Sequence, residues 1–229
     1  MEYYPVYLKL KNERCLVVGG GVIALRKIES LINAGAKVNV VAPDCEKEII
    51  DYSESGLINL ILREFMDSDI EGCSLVIGAT NYPEVNKRIY ELARERKIPV
   101  NIVDCPELCS FIVPSIVDRG RLLISISTQG ASPAFARSIR KILEKQFGEE
   151  YDLFLNIMEE IRKITSPVIH DQKSRQTFYE AIIDSELLTL CKEKDAEKIV
   201  DCINGILKNA GISDLSAKIE IIVNSILKN

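Results

Sequence analysis

Three glycines separate an apolar run from a helix-like run in the stretch VVGGGVIALRK. Gly19, Gly21 and Ala24 match the pattern G-x-G-x-x-A, which joins a strand to a helix in many α/β proteins. Gly19 would form the tight turn, Gly21 would let a ligand approach the backbone, and Ala24 would let the helix lie close to the strand. The pattern therefore predicts a dinucleotide site, with the pyrophosphate at the helix N-terminus beside Val22 and Ile23.

A second signal, an acidic residue, follows about twenty residues after the glycines. The strand-like run KVNVVAPD ends at Pro43 and Asp44, and an acidic side chain there accepts hydrogen bonds from a ribose diol. This favours NAD over NADP, although Arg63 or Lys47 could compensate the charge of a 2′-phosphate. The run ending in GATN predicts that Thr80 lines the same crevice. The alternative is that the glycines only close a turn in a domain that binds no nucleotide.

The order of apolar runs predicts an α/β fold. The stretches RCLVVGG, IALRKIESLINAG, KVNVVAP, LINLILREF and CSLVIGAT alternate strand-like and helical patterns, as in a parallel sheet with crossover helices. A helix over NKRIYELARERKI and a strand over PVNIVD complete a Rossmann-like unit. We predict three parts: an NAD-binding Rossmann domain at 1–112, a small α+β segment at 113–148, and a helical domain at 149–229.

Charge and composition limit the function classes. The 229 residues are 47% hydrophobic, enough for a sizeable core, and the net charge of −5 argues against a nucleic-acid partner. No basic leader and no membrane-length apolar run is seen, so we expect a cytoplasmic protein without membrane contact. The segment 113–148 is locally basic, with a net charge of +4.

The seven cysteines are scattered and odd in number, which indicates reduced thiols. Cys105 and Cys109 are four residues apart and could form half of a metal site, but there is no second pair of this kind. His170 is the only histidine. We therefore predict no protein-bound metal site.

Several long stretches resemble one family, the bifunctional precorrin-2 dehydrogenase and sirohydrochlorin ferrochelatase enzymes of siroheme synthesis. They are YYPVYLKLKNERCLVVGGGVIALRK, VVAPD, IGATN, VNIVDCPELCSFIVPSIVDRG and LLISISTQGASPAFARSIRKILE. The last two are the most specific. The resemblance implies NAD-dependent oxidation of precorrin-2 to sirohydrochlorin and, in bifunctional members, insertion of ferrous iron to give siroheme. It also implies a homodimer, with 113–148 as the dimerisation segment.

The resemblance assigns the main catalytic role to Asp104. This residue ends the strand VNIVD at the carboxyl edge of the sheet, where it could remove a proton from the macrocycle. The alternative is that Asp104 only begins a turn.

The substrate of this family is a polycarboxylate, and the basic segment offers it Arg119, Arg137 and Arg140. Each of these arginines could equally belong to a solvated helix face. The same two alternatives, substrate or solvent, apply to Arg26 and Lys27 just after the glycines. A second hypothesis for the whole chain is an NAD-binding regulatory or scaffolding module without tetrapyrrole chemistry, suggested by the acidic helical C-terminal region.

Overall fold

The alternating apolar runs of the first half form a parallel sheet. This computed structural model describes residues 3–228. The strands are β1 (Arg14–Val18), β2 (Lys37–Ala42), β3 (Ile58–Leu62), β4 (Leu75–Gly78) and β5 (Val100–Ile102), in the order β3-β2-β1-β4-β5. The chain divides into two compact units, Met1–Val113 and Pro114–Asn229. The three-part division given above stays a prediction.

The central strand β1 is buried on both faces, because alternate residues enter two separate hydrophobic clusters. Cys15 and Val17 pack on one side of the sheet, and Leu16 and Val18 pack on the other. Both-sided burial explains why this strand is a continuous apolar run rather than an alternating one.

The α-helices in the described part of the first unit are α1 (Val22–Asn33), α2 (Lys47–Glu54) and α3 (Pro83–Glu95). The buried side chains of α1 and α3 lie in opposite clusters, so the two helices cover opposite faces of the sheet. In α3 the buried apolar face is Ile89, Leu92 and Ala93, as the sequence pattern predicts.

One element of the predicted alternation is wrong. The stretch LINLILREF occupies a helical place in that alternation, but Ile58–Leu62 forms strand β3 beside β2. The helix lies earlier, at α2, and buries only Ile49. A mostly polar helix with one buried residue gives little periodic signal, whereas an apolar run of this length suits a strand and a helix equally.

The second unit begins with an antiparallel hairpin and continues as helices. Its strands are β6 (Ser115–Arg119) and β7 (Leu122–Ile126). Its helices are α4 (Pro133–Gln146), α5 (Glu150–Thr165), α6 (Gln172–Ile183), α7 (Leu187–Glu193), α8 (Ala196–Asn209) and α9 (Ser216–Leu227). A separate core of buried side chains from α5 to α9 holds the helical part together.

The Rossmann-like parallel sheet, the small strand pair and the helical C-terminal region together confirm the predicted fold class. Across residues 3–228, each helix is too short or too polar to cross a bilayer.

Candidate functional site

The first glycine of the motif lies where three strands end together. Gly19 has a φ of +123°, and its N–H donates to Val41 O at the end of β2, at 2.9 Å. A Cβ on Gly19 would collide with the carbonyl oxygen of Ala79 and lie 2.7 Å from its carbon. Both the backbone conformation and the close approach of β4 therefore require glycine here.

The middle glycine has a structural role that the motif does not reveal. A Cβ on Gly20 would collide with Asp44 O and lie 2.7 Å from Cys45 Cα, and Gly20 O accepts from Glu46 N at 2.8 Å. Gly20 thus lets the turn after β2 pack against the turn after β1. The contact joins residues distant in sequence, so no local signal could have identified it.

The third glycine faces open space. Gly21 is the N-cap of α1, with a φ of −83°, and a Cβ there would meet no protein atom within 4 Å. No side chain in the described part of the chain caps α1, and its first turn has no acidic residue. Val22 and Ile23 are exposed in this turn, while Ala24 is fully buried against the sheet. The backbone N–H groups at the start of α1 are thus uncapped, and the space beside Gly21 is open, which suits the binding of a pyrophosphate.

The acidic residue after β2 is available to a ligand. Pro43 and Asp44 are exposed, and within residues 3–228 the Asp44 carboxylate makes neither a hydrogen bond nor an ion pair. Arg63, one of the two residues that could offset its charge, instead binds Asp69 through two hydrogen bonds of 2.8 and 2.6 Å. Lys47 is exposed at the start of α2.

Thr80 fixes the connection from β4 to α3. Its hydroxyl donates to Asn86 Oδ1 at 2.9 Å and accepts from Tyr82 N at 3.2 Å, while Asn86 Nδ2 donates to Thr80 O at 2.9 Å. Thr80 therefore holds this connection in place, and its hydroxyl is already hydrogen-bonded within the protein.

Asp104 lies in a left-handed turn immediately after β5. Cys105 N donates to Ile102 O at 3.2 Å, which makes Val103 and Asp104 the central residues of the turn, and Asp104 has a φ of +59°. Aspartate tolerates this conformation better than most residues. The side chain is exposed and, among the described residues, has no hydrogen-bond or ion-pair partner. The turn thus presents a free carboxylate at the carboxyl edge of the sheet.

Cys109 braces this turn, a role that the sequence analysis missed. Its Sγ accepts from Ile102 N at 3.3 Å and lies 3.2 Å from both Ile102 O and Cys105 O, to either of which the thiol can donate. Burial raises the pKa of the Cys109 thiol. The neighbouring Ser110 accepts from Val100 N at 2.8 Å. Both side chains bond the strand's own backbone, so the loop after Asp104 is tied to β5.

A groove lies beside the same turn, on the α3 side of the sheet. Its volume is about 330 Å³. The lining residues are Pro83, Asn86, Lys87, Tyr90, Glu91, Cys105, Glu107 and Leu108. The groove therefore adjoins the Asp104 turn, because Cys105, the residue after Asp104, is part of its lining.

The arginines of the second unit differ in their partners. Arg119 is 18% exposed, and its guanidinium donates to Phe147 O at 2.9 Å and Glu144 O at 3.1 Å, at the end of α4. Arg140 pairs with Glu144 one turn along α4. Arg137 is exposed and, within residues 3–228, has no hydrogen-bond or ion-pair partner. Arg119 thus anchors a helix end, and Arg137 is the available one of the three.

Metal ligands do not converge in the described part of the chain: no group of three or more His, Cys, Asp or Glu side chains there is placed to hold an ion. The prediction of no protein-bound metal site stays a prediction.

Comparisons with known proteins agree with this geometry. A family model described as putative NAD(P)-binding matches residues 6–115, and one described as sirohaem biosynthesis protein central matches residues 119–146. The first confirms the predicted nicotinamide dinucleotide cofactor at the level of NAD(P).

The relatives include siroheme synthases. That of Methylococcus capsulatus is 38% identical over 203 residues, which are 87% of this chain and 43% of the relative. That of Methylobacillus flagellatus is 40% identical over 182 residues, 80% of this chain and 39% of the relative. The chain thus spans less than half the length of these curated relatives.

A solved structure named SirC, precorrin-2 dehydrogenase, superposes with a TM-score of 0.72 at 28% identity, covering 90% of this chain and 100% of that one. The resemblance stated from the sequence is confirmed. The chain therefore belongs to the siroheme synthase family, and in it a putative NAD(P)-binding domain precedes the sirohaem biosynthesis central segment.

Proposed function

We propose that this protein oxidises precorrin-2 to sirohydrochlorin with NAD. The observation that carries the proposal is the free carboxylate of Asp104 on a left-handed turn, at the sheet edge that also holds the open glycine turn at Gly21. In open α/β sheets, ligands bind at this carboxyl edge. The likeness to a precorrin-2 dehydrogenase over 90% of the chain supports the choice of substrate.

The protein's own groups divide the work of the reaction. NAD held at the glycine turn by Gly19 and Gly21 would supply the acceptor for the hydride that leaves the macrocycle. Asp104 accepts the proton that leaves with it, so the substrate loses a hydride and a proton in total. The rigid turn held by Cys109 positions the Asp104 carboxylate for this transfer.

We propose NAD rather than NADP as the cofactor. The free Asp44 carboxylate suits a ribose diol and repels a 2′-phosphate. Arg63 cannot readily offset that repulsion, because both of its terminal nitrogens bind Asp69.

For substrate carboxylates in the second unit, we propose Arg137 as the main contact. It is exposed and unpaired within the described residues, so it can bind a carboxylate without breaking another contact. Arg140 would first exchange Glu144 for the substrate, and Arg119 would have to leave the end of α4.

We also propose that the protein is a homodimer built on the segment 113–148. Ile116 and Leu123 are 46% and 41% exposed on one face of the hairpin, and Phe135 and Ile142 are 58% and 56% exposed on α4. Apolar side chains clustered on so short a segment favour association. Light scattering measures the assembly directly.

A cytoplasmic location stays a prediction.

Ferrous iron insertion is a separate expectation, with iron as substrate. Supplying sirohydrochlorin and ferrous iron without NAD tests it apart from the dehydrogenase step.

The proposed reaction is tested with Asp104→Asn. Wild-type protein given precorrin-2 and NAD should form NADH and the sirohydrochlorin spectrum, and the variant should lose about a hundredfold or more of the turnover number. Its NAD affinity should stay unchanged, because the proton acceptor does not hold the cofactor. Asp201→Asn, which removes an exposed carboxylate on α8 by the same substitution, is the matched control and should keep wild-type turnover.

No turnover by the wild-type protein, with tight NAD binding and no tetrapyrrole binding in calorimetry, would instead favour the regulatory module. Full turnover by Asp104→Asn would remove this residue from the mechanism.

A further inference from the structure

Lys27 lies on the side of α1 that approaches the Asp104 turn. Ala24 and Leu31, three residues before and four residues after Lys27 on the same helix face, are buried in the cluster beneath α1. Val103 and Phe111, on either side of the segment that carries Asp104, pack against the same cluster. Helix and turn thus rest on one piece of core, with Lys27 at its margin.

The ammonium group of Lys27 is half-buried and lacks an acceptor. Within residues 3–228 it makes no hydrogen bond and no ion pair. Burial lowers its pKa, whereas the Asp104 carboxylate and the Cys109 thiol act in the opposite direction. The Asp104 carboxylate therefore interacts electrostatically with the Lys27 ammonium, but the two groups form no direct ion pair. A partly desolvated charge without a partner is costly unless a ligand supplies one.

The surroundings of Asp104 need a cation if a polycarboxylate is to bind there. Asp104 itself is negative, and Glu107 on the short 3₁₀ helix Pro106–Leu108 adds a second negative charge, which acts on Cys109. Lys27 is the positive group that acts on Cys109 in return. An anionic substrate approaching the Asp104 carboxylate is thus repelled by it and attracted by Lys27.

We propose that Lys27 is a substrate-binding residue whose ammonium donates to a carboxylate of the tetrapyrrole beside Asp104. This inference rests on the proposed function and names one contact within it. Lys27 holds the macrocycle against the residue that receives its proton, and the glycine turn at the start of the same helix holds the cofactor. A single helix thereby sets the position of both reactants.

The test compares Lys27→Met with Lys27→Arg and with Arg26→Met. Methionine keeps the apolar stem and removes the charge, arginine keeps the charge, and the neighbouring Arg26 is an exposed cation on the same helix. Equilibrium titration of sirohydrochlorin, followed by its absorbance without NAD, gives affinity independent of turnover. Steady-state assays give the KM for precorrin-2, and calorimetry gives the affinity for NAD.

Lys27→Met should weaken sirohydrochlorin binding and raise the KM for precorrin-2 by about tenfold or more, the usual effect of losing a charge-assisted hydrogen bond. Lys27→Arg should recover most of the affinity, Arg26→Met should stay within about twofold of wild type, and all three should bind NAD normally. Wild-type affinity for sirohydrochlorin in Lys27→Met overturns the inference. So does a parallel loss of NAD affinity, which would mark a structural role. If the wild-type protein binds no tetrapyrrole, the proposed function itself has failed.

Discussion

Gly21→Ala separates the cofactor role of the glycine turn from its folding role. A methyl group on Gly21 meets no protein atom, and alanine readily adopts its φ of −83°. The lost N-cap preference costs about 1 kcal/mol, and the stiffer unfolded chain returns about 0.4–1 kcal/mol. The free energy of unfolding should therefore change by less than about 1 kcal/mol. Gly19→Ala, by contrast, should lower the free energy of unfolding, because it combines a φ of +123° with a collision against Ala79 O.

The same methyl group fills the space through which a pyrophosphate would approach α1. We expect NAD to bind the variant at least about tenfold more weakly, a loss of about 1.4 kcal/mol. With NAD at about 100 times its wild-type Kd, the cofactor stabilises the wild-type protein by about 2.7 kcal/mol. At the same concentration the variant gains only about 1.4 kcal/mol.

Calorimetry gives the affinity, and thermal unfolding with and without NAD gives the stabilisation. Gly205→Ala in α8 is the matched control, because a Cβ there also meets no protein atom within 4 Å. It should bind NAD as wild type does. Equal NAD stabilisation of wild type and Gly21→Ala would show that the pyrophosphate does not rest on this turn.

Two further predictions concern stability. Asp69→Asn should lower the free energy of unfolding by about 2 kcal/mol at pH 7, because Asp69 is buried and accepts charged hydrogen bonds from Arg63. The Arg63 guanidinium holds the pKa of Asp69 below its usual range, so this stabilisation is complete above about pH 4 and is lost as the pH falls further. Urea unfolding at several pH values should show the two proteins converging in acid; a constant difference would contradict the assignment. Arg119→Met should destabilise the second unit by about 2 kcal/mol through the unsatisfied end of α4, whereas Arg137→Met should leave stability unchanged and raise the KM for precorrin-2. Equal loss of stability in both arginine variants would refute this distinction.

The parts of the fold that the sequence predicts are those with local causes. Gly19, Ala24 and the both-sided apolar run of β1 carry strong signals within a few residues, and the structure places them as expected. The exchange of helix and strand around Ile58–Leu62 arose because short apolar runs lack a period that distinguishes the two.

The features that could not be predicted depend on partners far along the chain. Gly20 is restricted by Asp44 and Cys45, which reach it only when β1 and β2 pair. In the sequence, Arg119 and Arg137 are both cations of the same basic segment. In the structure, Arg119 binds carbonyl groups 25 and 28 residues later. Residue type predicted a cation in both cases, and only tertiary contacts distinguish the structural one from the available one.

The left-handed turn at Asp104 has a consequence for directed evolution. A saturation library at this position would be filtered twice, once for the proposed proton transfer and once for a backbone angle of +59° that β-branched side chains accept least readily. Glutamate, which keeps the carboxylate, would fold as Gln129 does at a φ of +52°, whereas β-branched residues would fall out of such a library, and asparagine and glycine would fold and fail to react. Enrichment after selection for expression alone would therefore differ from enrichment after selection for siroheme supply, and comparing the two would isolate the chemical requirement at this residue.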